Sequence, residues 1–512
     1  MTAANRVAIN TSVQYLRLIL NVVIGLYSVR IILNALGVDD YGIYDVIGGV
    51  IALLGFVSSS LSQTSIRYIS VSLGQNSLTN VRNTFNDCFW LHLIIASFLV
   101  IVIEIVGLFL FDGALNIPLE RLDAAQWVYH FMALTLFLNI CITPFTALII
   151  AHEKFVYTAS IGILDSVLKL LIAFLLTVVS KDRLIMYGVL MTGVTIVNVG
   201  LYLIYLFVNY KQELYVSRPI IKRIRSVSGF AGWTIMDVIG VIATRQGYAL
   251  ILNKFFGTAT NAAFAIARQI EGHIFTISAS VIDTMKPQIM KSYGAGDNAR
   301  MFRLSMTAGK LGFSMMSLVA IPLLVMMSEV LRLWLVNVPD STNIFARLLI
   351  IATMVEQLTR GLVYSCQATG NIKWFSIITS TCRFAALPIS IILLAFGMPA
   401  VMAFWVFVAC EIIGSFSRIV VMSRLSELKI VEFVKQVIVK SFFPFALVLF
   451  ISYAIHSLYN TLLGMSLNAL LADLLFLFLM YHIGLDAAEK RNVIDIGQRV
   501  LQKFTKNGKH GV

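Results

Sequence analysis

The sequence is short of charge. Only 13% of its 512 residues are Asp, Glu, Lys or Arg, against about a quarter in an average soluble domain. That scarcity excludes a soluble enzyme and a disordered chain. Cysteine is also sparse. Cys88, Cys141, Cys366, Cys382 and Cys410 all fall in apolar stretches without a C-x-x-C spacing. This excludes a secreted disulfide scaffold, and the five read as small buried apolar side chains. The seven histidines (His92, His130, His152, His273, His456, His482 and His510) are scattered with no metal-ligand spacing. No G-x-x-x-x-G-K-[ST] loop is present, so the chain does not drive itself by nucleotide hydrolysis. A membrane glycosyltransferase or polymerase would show a long outer loop rich in acids and histidine. The longest outer loop here spans about 14 residues around 112–125. The residues therefore call for no enzyme and no cofactor.

What is abundant is apolar sequence. Hydrophobic residues make up 59% of the chain and the mean hydropathy is +0.87. A helix needs roughly 20 apolar residues to cross a bilayer. Windows of that length predict fourteen helices, at 9–33, 43–63, 88–111, 126–150, 157–179, 185–208, 230–253, 259–282, 305–328, 345–367, 376–396, 400–422, 441–458 and 462–484. The second and eighth carry Ser58, Ser59, Ser60 and Ser278, Ser280, and helices this polar face protein or a water-filled cavity. The expected class is an all-α polytopic membrane protein. The first apolar run is too long for a cleavable signal peptide and would itself direct insertion.

The net charge of +13 might point to nucleic acid, but cytoplasmic loops of membrane proteins collect Lys and Arg. Sorting the basic loop residues by side puts 25 on one face, among them Arg67, Lys286, Arg418 and the loop around 211–228, and six on the other, among them Arg121 and Arg347. The asymmetry places both termini in the cytoplasm. Residues after 485 place Val493, Ile496, Val500 and Phe504 on one face with Lys and Arg opposite. They read as an amphipathic helix on the anionic inner leaflet, or as a solvated tail.

Sliding the sequence by 220 residues lays Ile31, Gly37, Ser58, Ser60, Thr64, Ile69, Ser72 and Gly74 on Ile251, Gly257, Ser278, Ser280, Thr284, Ile289, Ser292 and Gly294. That is eight identities in 44 ungapped positions, where chance gives roughly three. The predicted helices follow the same offset. The organisation expected is an N-terminal six-helix bundle (1–210), a linker (211–228) containing Pro219, a second six-helix bundle (229–424), helices 13 and 14 (425–484) and a tail (485–512). Parallel halves of this kind place a substrate cavity between them, near the midplane.

The turn after the first helix, Leu36-Gly37-Val38-Asp39-Asp40-Tyr41-Gly42-Ile43-Tyr44, resembles the LG-x-x-x-YG-x-Y turn of bacterial polysaccharide and O-antigen flippases. Leu333-Trp334-Leu335 followed by Pro339, and Gly370-Asn371-Ile372-Lys373-Trp374, resemble further segments of the same proteins. With the 6+6+2 plan, the resemblance covers nearly the whole chain. It points to the multidrug/oligosaccharidyl-lipid/polysaccharide exporter superfamily, and within it to the flippases of lipid-linked oligosaccharide. The resemblance implies two bundles with helices 1, 2, 7 and 8 lining a central cleft. It implies alternating access and an undecaprenyl-diphosphate-linked glycan as substrate. It also implies a bacterial inner-membrane location, with membrane lipids, a glycan polymerase and chain-length machinery as partners.

Ionisable groups at membrane depth cost a few kcal/mol each and call for a role. Eight cations and eight anions lie inside the predicted helices, so their totals do not choose the substrate. Asp165 with Lys169 and Glu356 with Arg360 are four apart, and Arg268 with Glu271 three apart. Such neighbours can neutralise each other on one helix face. Arg17, Arg30 and Arg245 have no opposite charge one turn away. Arg17 lies in a stripe with Asn10, Gln14 and Asn21, all on one face. A guanidinium binds phosphate oxygens through two donors and stays charged at any working pH. Arg17, Arg30, Arg245, Arg268, Asn21 and Gln14 are therefore the candidate substrate-binding residues. Snorkelling to an interface, or pairing with Asp45 or Asp237, is the alternative for the arginines. Asp45, Asp237 and Glu271 are candidates for carrying a coupling ion, H⁺ or Na⁺. A cation-coupled multidrug antiporter of the same superfamily is the competing function. It would want an acidic, aromatic cleft.

The charge asymmetry has a direct check. A cysteine at Ser217 should resist a membrane-impermeant thiol reagent in intact cells and react after permeabilisation. One at Asp123 should react in intact cells. The opposite pattern would reverse the topology.

Overall fold

The structure, a computed structural model, describes residues 3–498 except 53, 115–116, 180–181, 336, 427, 459–460, 492 and 495–497. Every regular element among them is helical: α1 (Ala3–Ala52), α2 (Gly55–Gly74), α3 (Leu78–Phe109), α4 (Leu122–Ala151), α5 (Phe155–Val178), α6 (Arg183–Asn209), α7 (Ile221–Gly294), α8 (Asn298–Trp334), α9 (Thr342–Thr369), α10 (Lys373–Ala395), α11 (Val401–Leu425), α12 (Ile430–Phe433), α13 (Lys440–Leu458) and α14 (Leu462–Leu479). Hydrocarbon offers backbone amides no partner, so an apolar chain satisfies them within helices. Eleven helical stretches are long and apolar enough to cross a membrane. Two of these, containing α1 and α7, break at a glycine.

α7 has 74 residues and would be about 110 Å long if straight, against about 30 Å of hydrocarbon. It breaks at Gly257, where φ is 82° and ψ −172°. α1 breaks at Gly37, with φ 80° and ψ 171°. These two glycines are partners in the 220-residue repeat. The conformation is essentially reserved to glycine. No atom lies within 4 Å of where a Cβ would sit on either residue, so backbone conformation alone imposes the choice. Counting both arms of α1 and α7 as passes, and adding the more polar α9, gives the fourteen expected.

The repeat also fixes the next turn. Asn76 (φ 53°) and Gly296 (φ 76°) are both left-handed. Ser77 then caps α3 by accepting from the Asn80 N–H at 3.3 Å, and Asp297 caps α8 by accepting from the Arg300 N–H at 2.9 Å.

Residues 9–235 form one compact unit. Ile47, Leu61, Cys88, Val128 and Ile140 are in its core, joined by Ile224, Val227 and Ala231 of α7. Residues 221–228 are thus already helix, with Ile224 and Val227 packed into this core. Residues 211–220 are strapped down rather than slack. Trp90 Nε1 donates to the Ser217 carbonyl at 2.7 Å, the Ser217 N–H donates to Asn86 Oδ1 at 2.7 Å, and His152 meets Glu213 at 2.8 Å. Ser217 is thereby partly covered, and the exposed neighbour Arg218 is the better labelling site. At the opposite ends of the helices, Arg121 bridges Asp40 and Asp182, the latter at 2.6 Å. Asp182 also caps α6, accepting from the Leu184 and Ile185 N–H groups at 3.0 and 3.2 Å.

The second unit contains residues 1–8 and 236–512. Within it α8 packs on α9, α9 on α11, α10 on α11, and α13 on α8 and α14. The α8 and α9 backbones touch through small residues: a Cβ on Gly361 would lie 2.0 Å from the Ser305 carbonyl oxygen. α8 is kinked, with Pro322 inside it and Met326 at φ −108°, ψ 27°. Beyond α14, Glu489 accepts from Lys310, which is buried in α8. Ile496, Val500 and Phe504 of the expected amphipathic tail lie outside the described residues.

Many of the cations assigned to loops from the sequence sit inside helices. Arg67, Lys286 and Arg418 are buried in α2, α7 and α11, and Arg347 lies in α9. α2 and α7 run past the apolar windows at 43–63 and 259–282 and so take in Arg67 and Lys286, whereas Arg347 and Arg418 already fell near an edge inside the windows 345–367 and 400–422.

Two outcomes follow. Gly37→Ala and Gly257→Ala should each lower stability by about 1–3 kcal/mol. Gly25→Ala and Gly272→Ala, with nothing within 4 Å and no positive φ, should be neutral or stabilising. Thermal unfolding in detergent reads both. The second outcome concerns the loop ion pairs. Asp182 hydrogen bonds to Arg121 and this raises the guanidinium's pKa. Burial alone would raise the Asp182 carboxyl, but Arg121 and the Ile185 and Leu184 N–H groups outweigh it and hold it below the usual 3.8. A carboxyl held low contributes stability above its ordinary titration range and loses it as pH falls through the lowered value. The melting temperature should drop on acidification below about pH 4, and Asp182→Asn should lack this share of the drop.

Candidate functional site

In the first unit the polar stripe on α1 faces α5 and the turn before it. The Asn10 amide donates to the Glu153 carbonyl at 3.1 Å, and the Ser166 hydroxyl of α5 donates to Asn21 Oδ1 at 2.8 Å. Arg17 lies flat on Gly162 of α5, where a Cβ would meet its Nε at 2.3 Å. Its only hydrogen bond among the described residues is a long one to Gln14 Oε1, 3.5 Å. Most of its donors are therefore unused. Nearby, Asp165 holds Lys169 at 2.7 Å and accepts from the Asn198 amide of α6 at 2.8 Å. Arg30 and Asp45 are exposed, and neither has an ion pair among the described residues.

The second unit is built differently. Glu356 Oε1 of α9 binds Arg360 and, from α10, Arg383, each at 3.1 Å. Arg383 also reaches Glu411 of α11 at 3.6 Å. Glu411 in turn binds Arg418 at 2.8 Å, whose other nitrogen donates to Thr359 Oγ1 at 3.0 Å. This ladder of alternating charge crosses three helices. Burial makes each rung depend on its partner, since removing one member of a buried pair costs about 3–5 kcal/mol. The Glu356–Arg360 pair seen in the sequence is thus one rung of something larger. Glu411 and Arg418 are seven apart, two turns on one face, and that spacing was the readable signal for the rest.

Asp237 of α7 stands apart from the ion pairs. Its two oxygens accept from the hydroxyls of Ser376 and Ser380 of α10, both at 2.9 Å. Glu271 accepts from the Thr353 hydroxyl at 2.9 Å. Its cationic partner is Arg245 at 3.7 Å, and not Arg268 three residues away. This corrects the sequence pairing: the bend at Gly257 folds Arg245 back towards Glu271, and linear spacing does not register that. Arg268 is left with a cation–π contact to Phe264 at 5.7 Å and no carboxylate in ion-pairing range among the described residues. Of the four candidate arginines, Arg17, Arg30 and Arg268 therefore keep free charge, and Arg245 does not. Of the three candidate acids, Asp237 accepts from two hydroxyls and has no ion pair among the described residues, Glu271 is shared with an arginine, and Asp45 is exposed.

No family model and no curated protein matches the sequence. Solved structures do match. The chain is 15% identical to a mutant of the Vibrio cholerae MATE transporter VcmN, with a TM-score of 0.68 over 82% of this chain and 96% of that one. It is 16% identical to the MATE transporter ClbM in complex with Rb⁺, with a TM-score of 0.64 over 84% of this chain and 95% of that one. It is 13% identical to a MOP superfamily transporter from Pyrococcus furiosus, described as having a binding pocket of reverse polarity, with a TM-score of 0.62 over 84% and 95%. At these identities the likeness is one of architecture: the chain has the fold of the MATE transporters of the MOP superfamily.

Proposed function

We propose that this protein moves a lipid-diphosphate-linked oligosaccharide across the bacterial inner membrane by alternating access, coupled to an ion gradient, for surface polysaccharide synthesis. The observation that carries the reading is which charges are spare. Arg17 and Arg268 have no carboxylate partner among the described residues, whereas Glu271, Glu356 and Glu411 each hold an arginine. A diphosphate brings about two negative charges, and burying them unpaired costs several kcal/mol. Free guanidiniums offset that cost, and Gln14 and Asn21 flank Arg17 with groups suited to sugar hydroxyls. Coupling falls to Asp237, whose hydroxyl shell accommodates either a proton or Na⁺.

A cation-coupled multidrug antiporter is the second reading. The ClbM structure with Rb⁺ gives the fold a precedent for cations, and Asp45 and Asp237 are the acids it would use. The reverse-polarity pocket described for the Pyrococcus furiosus protein is a precedent for a different function on this fold, which the first reading requires.

Arg17→Ala and Arg268→Ala should each cut surface glycan export about tenfold or more, the loss expected for a charge-assisted hydrogen bond, at unchanged protein abundance. Arg17→Lys should keep part of the activity, because an ammonium lacks the two-pronged contact. Normal export by both alanine variants would sink the anionic-headgroup mechanism. Loss of cationic-drug resistance in Asp45→Asn or Asp237→Asn would then favour the antiporter.

A further inference from the structure

A cavity of about 370 Å³ in the second unit takes no part in the reading above. The start of α8, the segment 428–436 and residues 486–489 beyond α14 enclose it. These are helix ends on one side of the membrane, the side with the excess of basic loop residues. Much of the wall is already committed. Glu489 accepts from buried Lys310 and from the Thr307 hydroxyl, the latter at 2.8 Å. The Glu489 N–H donates to Asp486 Oδ1 at 2.8 Å, and the Asp486 N–H to Glu489 Oε2 at 2.9 Å. Gln436 Oε1 accepts from Lys440 at 2.6 Å. Three charged side chains of the lining are left over. Arg303, Lys429 and Glu432 are exposed, and none has a side-chain hydrogen bond or ion pair among the described residues. Lys429 and Glu432 are only three apart, yet they stay out of ion-pairing range. The chain also widens to π-helical turns at Val434–Val439 and Met480–Gly484, beside the cavity. Such turns occur frequently at functional sites.

We infer that this cavity binds the headgroup of a phospholipid with a primary ammonium, of the phosphatidylethanolamine type. The phosphate goes to Arg303 and Lys429, and the ammonium donates to Glu432. Charge complementarity selects this headgroup. The lining holds three cations, Arg303, Lys310 and Lys429, and three acids, Glu432, Asp486 and Glu489. Lys310 and Glu489 satisfy each other. The three free side chains ask for an anion and a cation in one ligand. A purely anionic headgroup would meet the two cations and be repelled by Glu432. A choline-type ammonium has no N–H to donate to the carboxylate. The apolar part of the lining fits a lipid better than a free zwitterion. Phe302, Met306, Leu428 and Phe433 line the same cavity. Val431 and Val439, on the helical segment that carries Glu432 and Gln436, are exposed. Hydrocarbon would cover them, so acyl chains leaving the cavity have an apolar surface to follow.

The test is native mass spectrometry of the full-length protein in detergent. It is titrated with phosphatidylethanolamine, phosphatidylcholine or phosphatidylglycerol of identical acyl chains. The ethanolamine lipid should bind about threefold to fivefold more tightly than either of the others, the scale of one exposed charge pair. Arg303→Ala and Lys429→Ala should each weaken it by a similar factor. Glu432→Gln keeps the shape and loses the charge, and it should erase the preference for ethanolamine over choline. All three side chains are exposed, so the variants should fold. The proposal is overturned if the wild-type protein shows no such preference, if Glu432→Gln retains it, or if neither alanine variant weakens binding. It is also overturned if the glycerol lipid binds most tightly, which would make the site one for anionic lipid. Displacement of the lipid by an equal concentration of soluble phosphoethanolamine would overturn it too, because the ligand would then be a free zwitterion.

Discussion

Hydrocarbon has no hydrogen bond to offer, and this fixes where the chain can bend. Every span is helical because each N–H and C=O finds its partner four residues away. Each departure must be met locally. At Gly37 and Gly257 a conformation barred to other residues supplies the turn between two arms of one helix. At Met326 the backbone leaves helical geometry, and an arginine on the neighbouring helix donates to the adjacent Val325 carbonyl. The polar clusters follow from these breaks. Arg245 meets Glu271 because the chain doubles back between them, and Glu329 meets His456 beside the kink.

The fold was readable in the sequence where its signal is periodic and local. Apolar runs of the right length mark the passes. Gly37 and Gly257, at equal places in a weak repeat, mark the turns, and their dihedral angles agree closely. The candidate site was readable only within single helices. The Gln14–Arg17–Asn21 stripe lies on one face as its spacing requires. Arg383 is different: it joins Glu356 of α9 to Glu411 of α11, and which rungs meet depends on helix register that no periodicity encodes. Arg418 was misplaced in a loop because a charge near an apolar window's edge looks like the end of a span. Here it is buried, and a carboxylate two turns back stabilises it.

The two repeats share a backbone plan and differ in what fills it. The first unit lines the seam of α1 and α5 with amides, hydroxyls and one guanidinium resting on a glycine. The second threads guanidiniums and carboxylates across α9, α10 and α11. A duplicated scaffold thus keeps the features that turn the chain, such as the paired glycines and caps. Its interiors have diverged in charge, so a repeated sequence plan does not imply two equivalent sites.

The ladder of Glu356, Arg383, Glu411 and Arg418 has a practical consequence at the bench. Attraction between opposite charges grows as water is kept away. A solubilising medium that lets water between α9, α10 and α11 would weaken every rung at once, while leaving the apolar contacts of the first unit largely intact. The two halves of one polypeptide would then tolerate extraction unequally. Long-chain detergents or lipid nanodiscs that preserve a dry interior would protect the second half most.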